Sequence, residues 1–148
     1  MDLLMNTHLF AAIAWIGGSA FMFVLGISIL DKKKQDQVYP IIGPIFGYFE
    51  LLSLVILLGT GIYLIQNNGL YDVLFTNDMS EATEHLRTKL YIVGAVIIAT
   101  AIHFVIALKT NNKQRTHLEN FVCRGSSFFI FFANIFILHY AILIRSIL

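Results

Sequence analysis

Four ionisable side chains, His8, Glu50, His103 and His139, fall inside long apolar stretches of this 148-residue sequence, with Lys89 near the end of one and Asn134 as a neutral companion. Such groups are expensive in hydrocarbon. They face a bundle interior or a water-filled cavity and mark ion paths, proton relays or ligand sites. Imidazole is the most versatile of them, because one ring nitrogen can hold a proton while the other ligates a metal or accepts a proton. With one cysteine, Cys123, the chain has no CxxC pair, no internal disulfide framework and no thiolate zinc cage, so ligation falls to His, Met, Glu or Asp.

Depth sorts these groups. At a rise of ~1.5 Å per residue, His8 lies ~8 Å and His139 ~13 Å below one surface, whereas His103 lies ~9 Å from the opposite one. A haem held by two imidazoles needs them at similar depth on facing helices, which His8 and His139 meet and His8 with His103 does not. His103 is then left for a second, inner site or for a buried hydrogen-bonded couple with Glu50. Each histidine also has a structural alternative as a buried hydrogen bonder. His85 and His117 lie at interfaces, where solvated histidines are the rule. Met5 and His8, three residues apart, form a thioether–imidazole pair suited to Cu(I), with His139 and His103 as further metal candidates.

The elements that must position these residues are membrane helices. The chain is 57% hydrophobic and 13% charged, with mean hydropathy +0.76, against about 25% charged residues in soluble domains. Four continuous apolar runs have bilayer-spanning length, at about 3–30, 41–65, 90–108 and 121–148. The expected fold is a single all-α, integral membrane four-helix bundle with almost nothing outside the bilayer. Basic clusters (Lys32, Lys33 and Lys34; Lys109 to Arg115 with Arg124) mark the first and third connections. The second carries Asp72, Asp78, Glu81 and Glu84. The positive-inside rule then puts both termini outside. No cleavable leader pattern precedes the first run, so it is expected to be a retained span.

Pro40, Gly43 and Pro44 mark the start of the second helix, and Asn67-Asn68-Gly69 its end. A short helix is expected around Ser80 to His85, with Ser80 as a cap. Helical spacing puts His8, Ala11, Ala12, Trp15, Gly18, Ser19 and Met22 on one face of the first helix. Gly43, Gly47, Glu50, Leu54, Leu57 and Gly61 share a face of the second. Lys89, Val93, Val96, Thr100, His103 and Ala107 share one of the third. Gly17, Gly18, the Gly43/Gly47 pair and Gly59-Thr60-Gly61 suit close approach of backbones or of a flat ligand, and leave a homodimer open. Phe128, Phe129, Phe131, Phe132 and Phe136 crowd the last helix. Most of them are expected to face lipid and neighbouring helices, some to wall an aromatic cofactor.

The formal charge of +1 argues against a nucleic-acid partner. No nucleophile–base constellation, phosphate loop or zinc motif appears, so hydrolase or kinase chemistry has no support.

The stretch from His8 through Trp15 to Gly17-Gly18 resembles the first span of CopD-like copper-resistance membrane proteins and of the related HemJ-type protoporphyrinogen oxidases. Lys89-Leu90-Tyr91 through His103 is similar to their third span, and Leu58-Gly59-Thr60-Gly61 to the end of their second. Phe21-Met22-Phe23-Val24-Leu25 stands where the HemJ type has an arginine-containing segment, and the glycine pair favours the CopD-like branch. The resemblance implies a multi-pass protein of a bacterial inner membrane that binds haem b or handles copper. The expected haem ligands are His8 and His139, with His103 next. Trp15 and the phenylalanines of the last helix would wall the macrocycle, and Lys89 would pair with a propionate or an anionic substrate. Electron transfer or oxidation of a small substrate, with a redox partner, is the expected function. A copper-handling or transport protein, in which Glu50 and the histidines relay protons, and a structural subunit of a membrane complex are the alternatives.

Overall fold

The computed structural model describes residues 3–76, 80–110 and 116–147. Its order is α1 (Leu3–Ser28), α2 (Lys32–Asn67), α3 (Leu70–Phe75), α4 (Glu81–Lys109) and α5 (His117–Ile147). The four long helices are each long and apolar enough to cross a membrane, and they form the expected all-α bundle. Asp78 and residues 111–115, whose charges entered the topology argument, lie outside the described residues.

The helices pack as two hairpins, α1 against α2 and α4 against α5, joined along an α1–α5 seam. The short α3 touches both α2 and α4 at one end. The core is small: Trp15, Leu54, Val96, Ile130 and Ala133, one or two from each long helix. Meanwhile Phe10, Tyr48, Tyr91 and Phe121 stand exposed. In water such a surface would drive aggregation. In a bilayer it is the solvated face, and packing rather than hydrophobic exclusion must hold the helices together. Stacked rings contribute to it: Phe23 on Phe131 at 4.2 Å across the α1–α5 seam and Phe21 on Phe46 at 4.8 Å across α1–α2.

Helix ends depart from the sequence expectations. α2 starts at Lys32, not near Pro40, because the Asp31 side chain caps it by accepting from the Lys33 N–H at 2.9 Å. Pro40 and Pro44 therefore sit within the helix, which at 36 residues is ~54 Å long and overruns a ~30 Å hydrocarbon layer. The lysines extend the helix beyond the apolar run that hydropathy detects. At the other end Asn68 is the C-cap and Gly69 takes φ +69°, as the Asn67-Asn68-Gly69 signal requires. Ser80 is the N-cap not of a separate short helix but of α4 itself, which runs unbroken from Glu81. The short helix is α3, and Arg87 clamps its end by donating to the carbonyls of Leu74 and Thr76. α5 opens with a reciprocal cap between Thr116 and Glu119.

We name the ends by charge. The acidic end carries the start of α1 and the α2–α3–α4 connection. The basic end carries the α1–α2 connection.

Candidate functional site

The α1 face drawn by helical spacing is the buried one: Ala11, Trp15, Gly18 and Ser19 are all buried. His8 lies seven residues before Trp15, two turns along the same face, and is half-buried. Its Nδ1 is 2.7 Å from Thr60 Oγ1 on α2. The Thr60 hydroxyl spends its proton on the Ile56 carbonyl at 2.6 Å, so it accepts from His8, and Nδ1 carries the imidazole proton. The Nε2 lone pair makes no hydrogen bond among the described residues. Gly61 makes room for the ring, since a Cβ there would come within 3.3 Å of His8 Cε1. Half-buried Lys89 lies within electrostatic range of the imidazole, and among the described residues its ammonium meets no carboxylate. The result is an oriented imidazole with a free lone pair beside a cation, at the acidic end.

A second histidine is anchored the same way at the basic end. His103 Nδ1 lies 3.2 Å from the Cys123 carbonyl oxygen and 3.1 Å from Ser126 Oγ, and Ser126 donates to that same carbonyl at 3.0 Å. A carbonyl only accepts, so Nδ1 again carries the proton. The Cys123 sulfur also touches the ring, 3.5 Å from Nδ1. On its other side His103 lines a cavity of about 30 Å³ together with Ser19 and Met22 of α1, Glu50 of α2, and Ser127 and Ile130 of α5. All four long helices contribute to it. Glu50 packs over Gly18, where a Cβ would sit 3.5 Å from its Cγ and Oε1. Glu50 and His103 thus share a cavity rather than forming a hydrogen-bonded couple.

Between the two stations runs a polar seam. The indole N–H of Trp15 donates to Asn134 Oδ1 at 3.0 Å. Asn134 Nδ2 donates to Ser19 Oγ at 3.0 Å, and Ser19 donates to the Ile16 carbonyl at 2.9 Å. Asn134, 1% exposed, is the most enclosed large side chain among the described residues. Trp15 is therefore committed to a hydrogen bond across α1 and α5, the use a buried indole usually finds.

The other expected site residues are placed differently. His139 is exposed on α5, its ring set edge-on to Tyr140 at 5.8 Å. Met5 is exposed on α1, at 44%. Phe128, Phe129, Phe132 and Phe136 are exposed, and Phe131 packs on Phe23. Gly17, Gly43 and Gly59 face open space, so close helix approach does not explain them. Gly61 instead makes room for His8, while Gly18 lies beside Glu50 at ordinary contact distance. The structure thus brings His8 together with Thr60 and Lys89, and His103 together with Glu50, while His139 stands apart from both groups. Sequence reasoning missed Thr60 as the anchor of His8, and Cys123, Ser126 and Ser127 around His103. The signal for Thr60 was its place between Gly59 and Gly61, next to the inward face of α2, whereas Cys123, Ser126 and Ser127 lie on α5, for which spacing drew no inward face. Comparison with protein-family models, curated proteins and solved structures finds no match.

Proposed function

We propose that this chain is a multi-pass redox protein of a bacterial inner membrane, which holds a metal-centred group, haem b first among the candidates, through the Nε2 of His8. The observation that carries this reading is the His8 imidazole itself: Nδ1 tied to Thr60, Nε2 uncommitted, Lys89 close by. A ligating histidine characteristically donates its other ring N–H to an acceptor that fixes ring and tautomer. The resemblance of the first and third spans to CopD-like and HemJ-type proteins points to haem b. The basic end, by the positive-inside rule, faces the cytoplasm, and His8 then lies toward the outer surface.

His8, anchored by Thr60, and Lys89 nearby would suit a group held by one imidazole with an anionic edge. They do not fit ligation by two spanning histidines, because His139 is turned outward and His103 is anchored at the basic end. Haem would supply one-electron chemistry at its iron. The chain's own contributions are the orientation of His8 by Thr60, the room left by Gly61, and the positive charge of Lys89 toward a propionate or an anionic substrate.

Copper is the competing occupant, with Met5 one turn before His8 supplying a thioether. An absorption spectrum of the purified protein, oxidised and reduced, separates the readings. A Soret band lost in His8→Ala and retained in His139→Ala supports haem on His8. Binding of Cu(I) that depends on Met5 and His8, without a Soret band, selects copper. A protein with neither, made with ample haem and copper, and unchanged by His8→Ala, is a structural subunit and ends the redox proposal.

A further inference from the structure

The cavity at the basic end is a site of its own, distinct from the group on His8. We propose that it is a hydration site that passes protons through Glu50, so that the ligand bound between the four helices is water carrying an exchangeable proton. Its volume of about 30 Å³ compares with the ~10–15 Å³ that a water needs by the same measure, which leaves room for one or two molecules. A water in a protein interior also needs two to four polar partners. The wall provides Ser19, Glu50, His103 and Ser127, one from each long helix.

Two independent observations point to water rather than to a void. The Glu50 carboxyl makes no hydrogen bond or ion pair among the described residues, and neither does the Ser127 hydroxyl, although both line the cavity. Burying polar groups without partners costs several kcal/mol in an apolar medium, so native structures supply a partner, water included. Finally, Ser19 donates to Ile16 and accepts from Asn134, which leaves its second lone pair for a donor inside the cavity.

The titratable groups that face this space are Glu50 from α2 and His103 from α4. α1 adds Ser19 and Met22, and α5 adds Ser127 and Ile130. His103 is anchored to α5 through its Nδ1–H, whereas the Glu50 carboxyl, with no partner among the described residues, is the exchanging group. Hydronium in the cavity gives a proton to a Glu50 carboxylate oxygen, breaking one O–H bond and forming another. The proton leaves by the reverse transfer to water. No electron moves and no co-reactant is consumed. Polar cavity walls are what such a transfer needs in a span, since ionisable residues there pair with one another or with water.

The test uses the full-length chain in liposomes with an internal pH dye and a potassium–valinomycin potential. Wild-type vesicles should take up protons faster than protein-free ones. Glu50→Gln, which keeps the cavity and removes the carboxyl, should lower that rate by about tenfold or more, a barrier increase of at least ~1.4 kcal/mol. Met22→Phe, which fills the cavity from another helix, should lower it similarly and guards against misfolding of the first variant. Wild-type flux equal to that of empty vesicles, or flux unchanged in either folded variant, overturns the proposal. Any absorption band that depends on His8 should be unchanged in Glu50→Gln, so failure here is distinguishable from failure of the His8 reading.

Discussion

The bundle holds two histidines by the same device at opposite ends and surrounds them with different neighbours. At the acidic end His8 sits in a two-helix seam, its Nδ1–H on a hydroxyl of α2, its other nitrogen uncommitted, with a lysine for company. At the basic end His103 is pinned within its own hairpin to the Cys123 carbonyl and Ser126, and it borders a cavity to which all four long helices contribute. Orientation of each imidazole takes an acceptor on a neighbouring helix, Thr60 of α2 for His8 and the Cys123 carbonyl with Ser126 of α5 for His103. What differs between the two is the company around the ring: a lysine within electrostatic range at one end, a carboxyl and a water-sized space at the other. The two ends are tied by Trp15, Asn134 and Ser19 across α1 and α5.

The comparison can be broken most forcefully at that tie. Asn134→Leu strands the indole N–H of Trp15 and removes the donor to Ser19. The loss expected is roughly 1–3 kcal/mol of unfolding free energy, the cost of a buried donor left unsatisfied, measured by denaturant titration in micelles. A loss under about 0.5 kcal/mol, the range of neutral surface substitutions, would show that the seam does not join the stations. A smaller effect should separate the two anchors. Thr60→Val removes the hydroxyl acceptor of His8 and should weaken ligation there by about 10–100-fold, as loss of an orienting partner does. Ser126→Ala leaves His103 its carbonyl acceptor, and ¹⁵N spectra should show its Nδ1 still protonated. Equal tautomer changes in both variants would refute the distinction. The smallest effects belong to the glycines. Gly61→Ala puts a Cβ 3.3 Å from His8 Cε1 and must shift the ring by a few tenths of an ångström, visible in the His8 resonances. Gly18→Ala meets Glu50 at 3.5 Å, an ordinary contact, and should leave stability within about 0.5 kcal/mol of wild type. The reverse order would mean that Glu50, not His8, is the tightly fitted side chain.

Much of the fold was legible because the bilayer demands uninterrupted apolar helices, and four such runs announce themselves. Boundaries were not, because hydropathy ends where the lipid does while hydrogen bonding continues. Residues 32–39 and 81–88 are helical despite their polarity. Phase was a better guide to the site than depth. His8 is seven residues from Trp15 and His103 seven from Val96, each about 20° from a buried neighbour at 100° per residue, and both look inward. His139 is five residues from Asn134, about 140° round the helix, and looks outward. Its depth alone had made it a partner for His8.

The sequence by itself determined a membrane-embedded all-α bundle, the inward faces of the first three long helices and the polar residues on them, since these follow from composition and a fixed helical period. Only the tertiary structure decided which polar groups meet. Residues far apart in the chain, such as Trp15 and Asn134 or His8 and Thr60, become partners through the rotation and axial offset of one helix against another. Those two variables are set by packing across the seams and leave no periodic trace in any single helix.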